Sequence, residues 1–282
     1  MELVTTRDAL RKLSATARGE GARLGLVPTM GSLHDGHLSL LRAALSDCDI
    51  VAMSVFVNPL QFSSPEDLAR YPSDLERDLE LARSCGVGMV FAPSVGEMYP
   101  GGAPETRVVP GKLADRLEGA SRPGHFEGVA TVVTKLLSLF GHCRAYFGEK
   151  DFQQLAVVRN LVHDLDLDAE IIACPTVREP DGLACSSRNR RFGPDERRAA
   201  TVLFKALEAG RACVASGERE GAQVEKTMAA VVAAEPRAKL DYAVAVDPVS
   251  LQSPPVLSGA LRLLIAADVG AVRLIDNLGV QA

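Results

Sequence analysis

Five short apolar runs are set into the first 176 residues of this chain, with helical patterning between them. The runs at 24–29, 50–57, 87–92, 144–147 and 170–174 are rich in Val, Ile and Phe. Between them, Leu38, Leu41, Ala44 and Leu45 share one face of 37–47. Leu75, Leu79 and Ala82 share a face of 73–84, with Pro72 placed near its start. Val129, Val132, Val133, Leu136, Leu137 and Phe140 line a third helix, and Leu155, Val158, Leu161, Val162 and Leu165 a fourth over 151–165. Strands that are apolar on both faces and separated by helices demand βαβ units, so the expected class is α/β with a mostly parallel sheet.

The pattern changes at 176–182, where PTVREPDG concentrates Pro, Gly and charge. Beyond it come Ala-rich helical patterns at 195–216 and 222–234, then strand candidates at 239–246, 261–267 and 272–276. Charge shifts at the same place: 17 basic and 23 acidic residues precede it, against 14 and 13 after it. The expected organisation is an N-terminal α/β domain over 1–176 and a smaller α+β domain over 177–282.

Composition narrows the function. Hydrophobic residues are 47 % of the 282 and charged residues 24 %, which excludes a disordered chain. A net charge of −5 argues against a dedicated nucleic-acid binder, which needs a basic surplus to meet phosphates. The six cysteines are spread singly with no Cys-x-x-Cys pair, the usage of a reduced, cytoplasmic protein without structural zinc. The start carries charges every few residues, and the longest apolar stretch, 50–57, falls far short of the roughly 20 residues of a bilayer span. The expectation is a soluble, cytoplasmic protein with no membrane partner.

Four clusters can carry chemistry. PTMGSLHDGHLSLL, 28–41, joins the first strand to a helix, where open parallel sheets bind ligands. His34 and His37 are three apart and share the first helical turn, whose amides and dipole suit an anion. Two surface histidines or a metal pair are the alternatives, although no third ligand stands at a supporting spacing. FVNPLQF, 56–62, offers Asn58 and Gln61, neutral groups suited to a hydroxy acid, or else a polar turn forced by Pro59. FGEKDFQQL, 147–155, offers Lys150 as a charge for phosphate, with Glu149, Asp151 and Gln154 nearby; a charged turn capping a helix is the plainer alternative. DGLACSSRNRR, 181–191, sets Ser186 and Ser187 beside the fixed cation of Arg188, or is a basic linker. A further patch, RPGHFEGV at 122–129, places Arg122 and His125 ahead of a helix, with catalytic and structural roles both open for His125. There is no Walker loop, no Gly-x-Ser-x-Gly elbow and no Gly-x-Gly-x-x-Gly after a strand.

PTMGSLHDGH, FVNPLQF, RPGHFEGV, FGEKDFQQL and VREPDGLACSSRNRRF follow one another in this order, and RLIDN stands at 273–277. Together they resemble the pantoate–β-alanine ligase (pantothenate synthetase) family over residues 3–278. H-x-G-H alone is shared by the wider nucleotidyltransferase superfamily and by class I aminoacyl-tRNA synthetases; the five blocks together are far more specific. The resemblance implies a Rossmann-like N-terminal domain with a C-terminal lid, usually homodimeric. It implies that ATP, with Mg²⁺ held through its phosphates, activates (R)-pantoate as pantoyl adenylate. β-Alanine then attacks, giving pantothenate and AMP.

By the same resemblance, Met30, Gly31, Ser32, Leu33, His34, Asp35, Gly36 and His37 bind ATP, with His37 a proton donor. Gly148, Glu149, Lys150 and Asp151 contact the nucleotide, Lys150 on phosphate, and Val177 offers its backbone to adenine. Cys185, Ser186, Ser187 and Arg188 form a phosphate-covering loop, in which Cys185 stands where the family usually has Met or Leu. An exposed thiol there would make the loop sensitive to oxidation. Gln61 and Gln154 hold pantoate, with Gln61 beside the β-alanine site and Asn58 near it. His37, His34, Lys150 and Arg188 form the catalytic set, with no protein ligand to metal and no covalent nucleophile. Two rivals are a nucleotidyltransferase with another acceptor and a nucleotide sensor without turnover. The two glutamines argue against the first and the intact cationic set against the second.

Overall fold

The computed structural model describes residues 1–62 and 64–282. Two compact units emerge: residues 1–149 with 153–175, and residues 150–152 with 176–282. The short stretch 150–152 thus groups with the C-terminal unit although the sequence break lies at 176.

The first unit is a six-stranded parallel sheet, as the continuous apolar runs require. Its strands are β1 (Glu2–Val4), β2 (Leu24–Thr29), β3 (Ile50–Val55), β4 (Met89–Phe91), β5 (Cys143–Gly148) and β6 (Ala169–Cys174), in spatial order β1-β4-β3-β2-β5-β6. The helices are α1 (Arg7–Gly19), α2 (Asp35–Asp47), the short α3 (Pro65–Ala69), α4 (Leu75–Cys85), α5 (Val95–Met98), α6 (Glu118–Ser121), α7 (His125–Phe140) and α8 (Phe152–Asp164). Successive strand residues point to opposite faces, and the core divides accordingly. Leu24 and Leu26 join one cluster with Val129, Val133, Leu136 and Leu155. Val27, Val51 and Met53 join another with Leu40, Leu41 and Ala82. Each such buried aliphatic side chain is worth roughly 1.5–3 kcal/mol against exposure.

In the first unit β1, α1 and the short helices α3, α5 and α6 lie outside the sequence expectation. β1 is three residues long and joins the edge in parallel with β4, Leu3 opposite Val90. α1 buries only Leu10, Ser14 and Ala17, so small residues do the packing and its apolar stripe is thin in sequence. Thr6 caps it, accepting from the Ala9 amide at 3.3 Å. In α4 the buried residues are Asp78 and Ala82, whereas Leu75, expected on the inner face, is 38 % exposed. A carboxylate occupies the inner position because backbone donors face it, as described below.

The second unit is antiparallel, with β7 (Ala238–Val246), β8 (Ala260–Val269) and β9 (Val272–Gln281) in that spatial order. α9 (Pro194–Ala199), α10 (Val202–Ala215) and α11 (Gly221–Ala233) complete it, and Leu203, Leu207, Val224 and Met228 pack with Leu263 and Ile265 of β8. The single helix expected over 195–216 is divided at Ala200 and Thr201. The Thr201 hydroxyl donates to the Arg198 carbonyl at 2.8 Å, a side-chain bond that competes with the helical ladder.

Candidate functional site

The sheet order reverses at β2, which has β3 on one side and β5 on the other. The crevice beyond the carboxyl ends of such strands is where open α/β sheets take ligands. Both the histidine segment and the Gly148 turn begin at those ends.

The turn after β2 is held in place by hydrogen bonds to its backbone. The Thr29 hydroxyl donates to the Ser54 carbonyl at 2.7 Å and accepts from the Gly31 amide at 3.1 Å. Gly31 (φ +81°) and Ser32 (φ +54°) are both left-handed. The Ser32 and Leu33 amides each donate to the Asp78 carboxylate at 2.8 Å. His34 then caps α2: its Nδ1 accepts from the Gly36 amide at 3.2 Å, and the His37 Nδ1 accepts from the His34 amide at 3.4 Å. An Nδ1 that accepts carries no proton, so a neutral imidazole here is the Nε2–H tautomer. The ring centroids are 4.0 Å apart. The arrangement therefore presents two Nε2–H donors at a helix N-terminus, which itself attracts anions. Met30, Asp35 and Gly36 belong to the same short stretch.

After β3, Asn58 opens a single 3-10 turn, Pro59–Gln61. Asn58 is 1 % exposed. Its Oδ1 accepts from the Leu60 amide at 3.3 Å and from the Tyr99 hydroxyl at 2.8 Å. Its Nδ2 donates to the Gly128 carbonyl and to the Gln61 Oε1, both at 3.0 Å. An amide N–H can only donate and a carbonyl can only accept, so Leu60 and Gly128 fix which way the Asn58 carboxamide faces. That in turn takes the Gln61 oxygen and turns its Nε2 toward the Met30 Sδ, 2.9 Å away. Gln61 thus offers its NH₂ toward the histidine turn. Burial raises the Tyr99 hydroxyl pKa, keeping it a neutral donor.

The patch at 122–129 serves this same turn. His125 Nδ1 lies 2.9 Å and Arg122 Nη2 lies 3.2 Å from the Gln61 carbonyl oxygen. Gly128 sits inside α7, yet a Cβ there would come within 2.3 Å of the Leu60 carbonyl oxygen. Glycine in a helix interior costs roughly 0.5–1 kcal/mol relative to alanine, and here it permits the close approach. His125 is therefore a supporting residue of the Gln61 turn. Gln154 lies half-buried on α8, while its neighbour Gln153 is buried and bonds to Leu113, Arg116 and Glu118.

Within the second unit, 177–185 folds back on itself. The Cys185 amide donates to the Val177 carbonyl at 2.9 Å, Arg178 bridges Ala184, and the Glu179 amide donates to Leu183 at 2.8 Å. This brings Val177 beside Cys185, an adjacency that eight residues of sequence separation conceal. Cys185 is buried, and all six cysteines are free thiols. Ser186 accepts from the Arg188 amide at 3.3 Å and opens the 3-10 helix Ser187–Arg191. Arg178 is the anchor. It forms a two-pronged pair with Asp276 (2.6 and 3.0 Å), donates to the Gly182 and Asn277 carbonyls, and stacks on Phe204 at 4.2 Å. Asn277 donates to the Lys150 carbonyl at 2.8 Å and accepts from Arg262 at 2.7 Å. The Lys150 ammonium lies 3.5 Å from Asp151.

Asp78, Tyr99, Gly128 and Asp276 escaped the sequence reading as parts of a site. Two of them carried a signal, since Gly128 lies in the RPGHFEGV block and Asp276 in the RLIDN block. Among the described residues, no group of three or more His, Cys, Asp or Glu side chains converges to hold a metal ion. No helix is long and apolar enough to cross a membrane, again among the described residues.

A parallel α/β sheet with its order reversed at the site, and a helix N-terminus carrying two histidines there, define an α/β protein with an anion-binding crevice. Comparison with known proteins sharpens this. The family model described as pantoate-beta-alanine ligase matches residues 2–279. The pantothenate synthetase of Moorella thermoacetica is 51 % identical over 278 residues, 99 % of this chain and 98 % of that one. That of Roseiflexus sp. strain RS-1 is 50 % identical over the full length of both. The crystal structure of pantothenate synthetase from Thermus thermophilus superposes with a TM-score of 0.94 at 46 % identity, covering 100 % of both chains. Pantoate-beta-alanine ligase from Francisella tularensis, solved in complex with beta-gamma ATP and β-alanine, gives 0.81 at 35 % identity, covering 99 % of this chain and 97 % of that one. The chain belongs to the pantoate–β-alanine ligase family. It is an ATP-dependent ligase that condenses pantoate with β-alanine through an acyl adenylate, releasing AMP and pyrophosphate.

Proposed function

We propose that His34 and His37 act on the phosphates of ATP during formation of pantoyl adenylate. The observation that carries this is the pair of imidazoles at the start of α2, with both Nδ1 atoms taken by backbone amides. A carboxylate is a poor acyl donor, because oxide is a poor leaving group. Attack of the pantoate carboxylate on the α-phosphorus forms a C–O–P link and breaks the bond to pyrophosphate. Negative charge grows on the α-phosphoryl oxygens and on the departing pyrophosphate. Nε2–H donors fixed before reaction meet that charge without reorganising, which is where electrostatic catalysis is strongest. His37 is the proton donor. Lys150 and Arg188 supply the cations, Met30 to Gly36, Gly148 to Asp151 and Cys185 to Ser187 the remaining nucleotide contacts, and Val177 a backbone contact to adenine. The complex of the Francisella ligase supports the same two ligands here, ATP and β-alanine.

Gln61 and Gln154 hold pantoate. The direction imposed on Gln61 fits this, since its NH₂ would meet a carboxylate or hydroxyl oxygen. Asn58 acts through Gln61. β-Alanine enters beside Gln61; its amine attacks the acyl carbon, the C–O bond to AMP breaks, and the amine proton leaves as the amide forms. Mg²⁺ arrives on the triphosphate, in keeping with its preference for phosphate oxygens and retained water. The 177–282 part serves as the lid, in a homodimeric cytoplasmic enzyme.

Pyrophosphate release, followed with ATP, Mg²⁺ and pantoate and then with β-alanine added, tests the scheme. Limited release with pantoate alone, followed by sustained release and pantothenate, is expected. Sustained release without pantoate, or release needing no Mg²⁺, contradicts it. Sedimentation tests the dimer.

A further inference from the structure

Asp78 has no part in the reaction as proposed, yet it is among the most buried charged side chains of the chain, at 1 % exposure. It lies one turn into α4, four residues before Ala82, on the face that packs inward. An ionised side chain at such a depth ordinarily needs a counter-ion or several hydrogen bonds. Among the described residues no cation pairs with it. Its two oxygens instead take one backbone donor each: Oδ2 from the Ser32 amide and Oδ1 from the Leu33 amide, both at 2.8 Å. Those amides belong to the turn that delivers His34 and His37.

The turn needs this acceptor. Ser32 is a non-glycine residue at φ +54°, a conformation that an L residue adopts at a cost and keeps only where its surroundings hold it. Both donors are buried with it: Ser32 is 3 % and Leu33 1 % exposed. Without the carboxylate the buried Ser32 amide would be orphaned. Gly31 completes the fit, because a Cβ at that position would lie 2.7 Å from Asp78 Oδ2. No side chain fits between the carboxylate and the turn.

We infer that Asp78 is a positioning residue for adenylation: its carboxylate clamps the Ser32 and Leu33 amides and so sets where the two imidazoles stand against the phosphates. The inference rests on the proposed role of His34 and His37, and it makes α4 part of the machinery without touching substrate. Asparagine is the telling replacement. It has the shape of aspartate, but its NH₂ must face one of two N–H donors, so one bond is replaced by a repulsion. The turn then shifts, and misplacements of about 1 Å can cost on the order of 10²-fold in rate.

The experiment compares half-reactions in the full-length enzyme. For Asp78→Asn, pantoyl-adenylate formation should fall by about 10²-fold, while capture of supplied pantoyl adenylate by β-alanine stays within about threefold of the unaltered enzyme. A purely structural residue would lower both steps together, and that result, or unchanged adenylation, overturns the inference. Where the variant does not fold, amide exchange in the unaltered protein decides. Slow exchange at Ser32 and Leu33 supports the clamp, and exchange as fast as in exposed loops refutes it. His37→Ala is run alongside. If it retains adenylation, the phosphate role of the histidines fails, whereas the exchange result still reports on the clamp by itself.

Discussion

The turn that carries His34 and His37 and the hairpin that carries Val177 and Cys185 are both loops with left-handed residues, but they are secured by different physics. The first is tied through backbone amides to neutral or singly placed acceptors: Thr29, Asp78 and, in the neighbouring Gln61 turn, the Asn58 Oδ1 that takes the Leu60 amide. The second is tied by guanidinium groups. Arg178 pairs with a buried Asp276, and Arg197 bridges Glu179 and Asp181 at 2.6 Å each. Short directional bonds inside a core fix direction and tolerate salt. Charge pairs nearer the surface hold a segment while leaving it responsive to salt and pH. The two histidines thus sit on the more rigid kind of support.

Breaking the strongest ion pair should have the largest effect. Arg178→Leu leaves Asp276 buried without its partner, and the loss is expected at about 3–5 kcal/mol of unfolding free energy, read by denaturant titration. A smaller loss would mean that Asp276 finds water or another donor. Next comes His37→Ala, expected to lower pantoyl-adenylate formation by at least about 10²-fold, with pantoate affinity little changed. Near-normal adenylation would remove His37 from the mechanism.

Gly128→Ala probes the uncharged support. Its methyl would press on the Leu60 carbonyl and displace the Gln61 turn, so the KM for pantoate should rise by about tenfold, more than that for ATP. Equal changes in both would mean that Gln61 is not the group displaced. The smallest effect belongs to the exposed end of the hairpin. The hydrogen bond from Arg197 holds the Asp181 carboxyl below its ordinary range. A depressed folded-state pKa stabilises above the unfolded value, and that contribution is lost as pH falls through the folded one. Arg197→Gln should therefore cost under about 1 kcal/mol near neutrality. The difference between the two proteins should shrink further on acidification below about pH 4 and on adding salt. A difference that grows in acid would contradict this.

Much of the fold was legible because strands buried on both faces cannot hide. β2 and β3 read as nearly continuous apolar runs and are buried along most of their length, while β5 and β6 keep the apolar pattern after a charged residue near the start, Arg144 and Glu170. β1 was not legible, since three residues on a sheet edge carry no pattern, and neither was α1, which packs through small side chains. For the site, the sequence pointed at His34, His37, Gln61 and Lys150 through their motifs. On α4 the expected face holds for Leu79 and Ala82, but Leu75 is exposed, and the buried Asp78 carried no signal.

By itself, the sequence determined the α/β class, the family and the chemical types gathered at the candidate site, because these follow from local patterning and from residues grouped in short blocks. Tertiary structure alone decided direction. Which nitrogen of each histidine bears the proton, which end of the Gln61 amide faces outward and why Asp78 is buried all depend on hydrogen-bond partners 45 to 70 residues away or set by the helix start. A hydrogen bond is made between atoms in space, and chain order does not specify its partner until the sheet and helices have brought the two ends together.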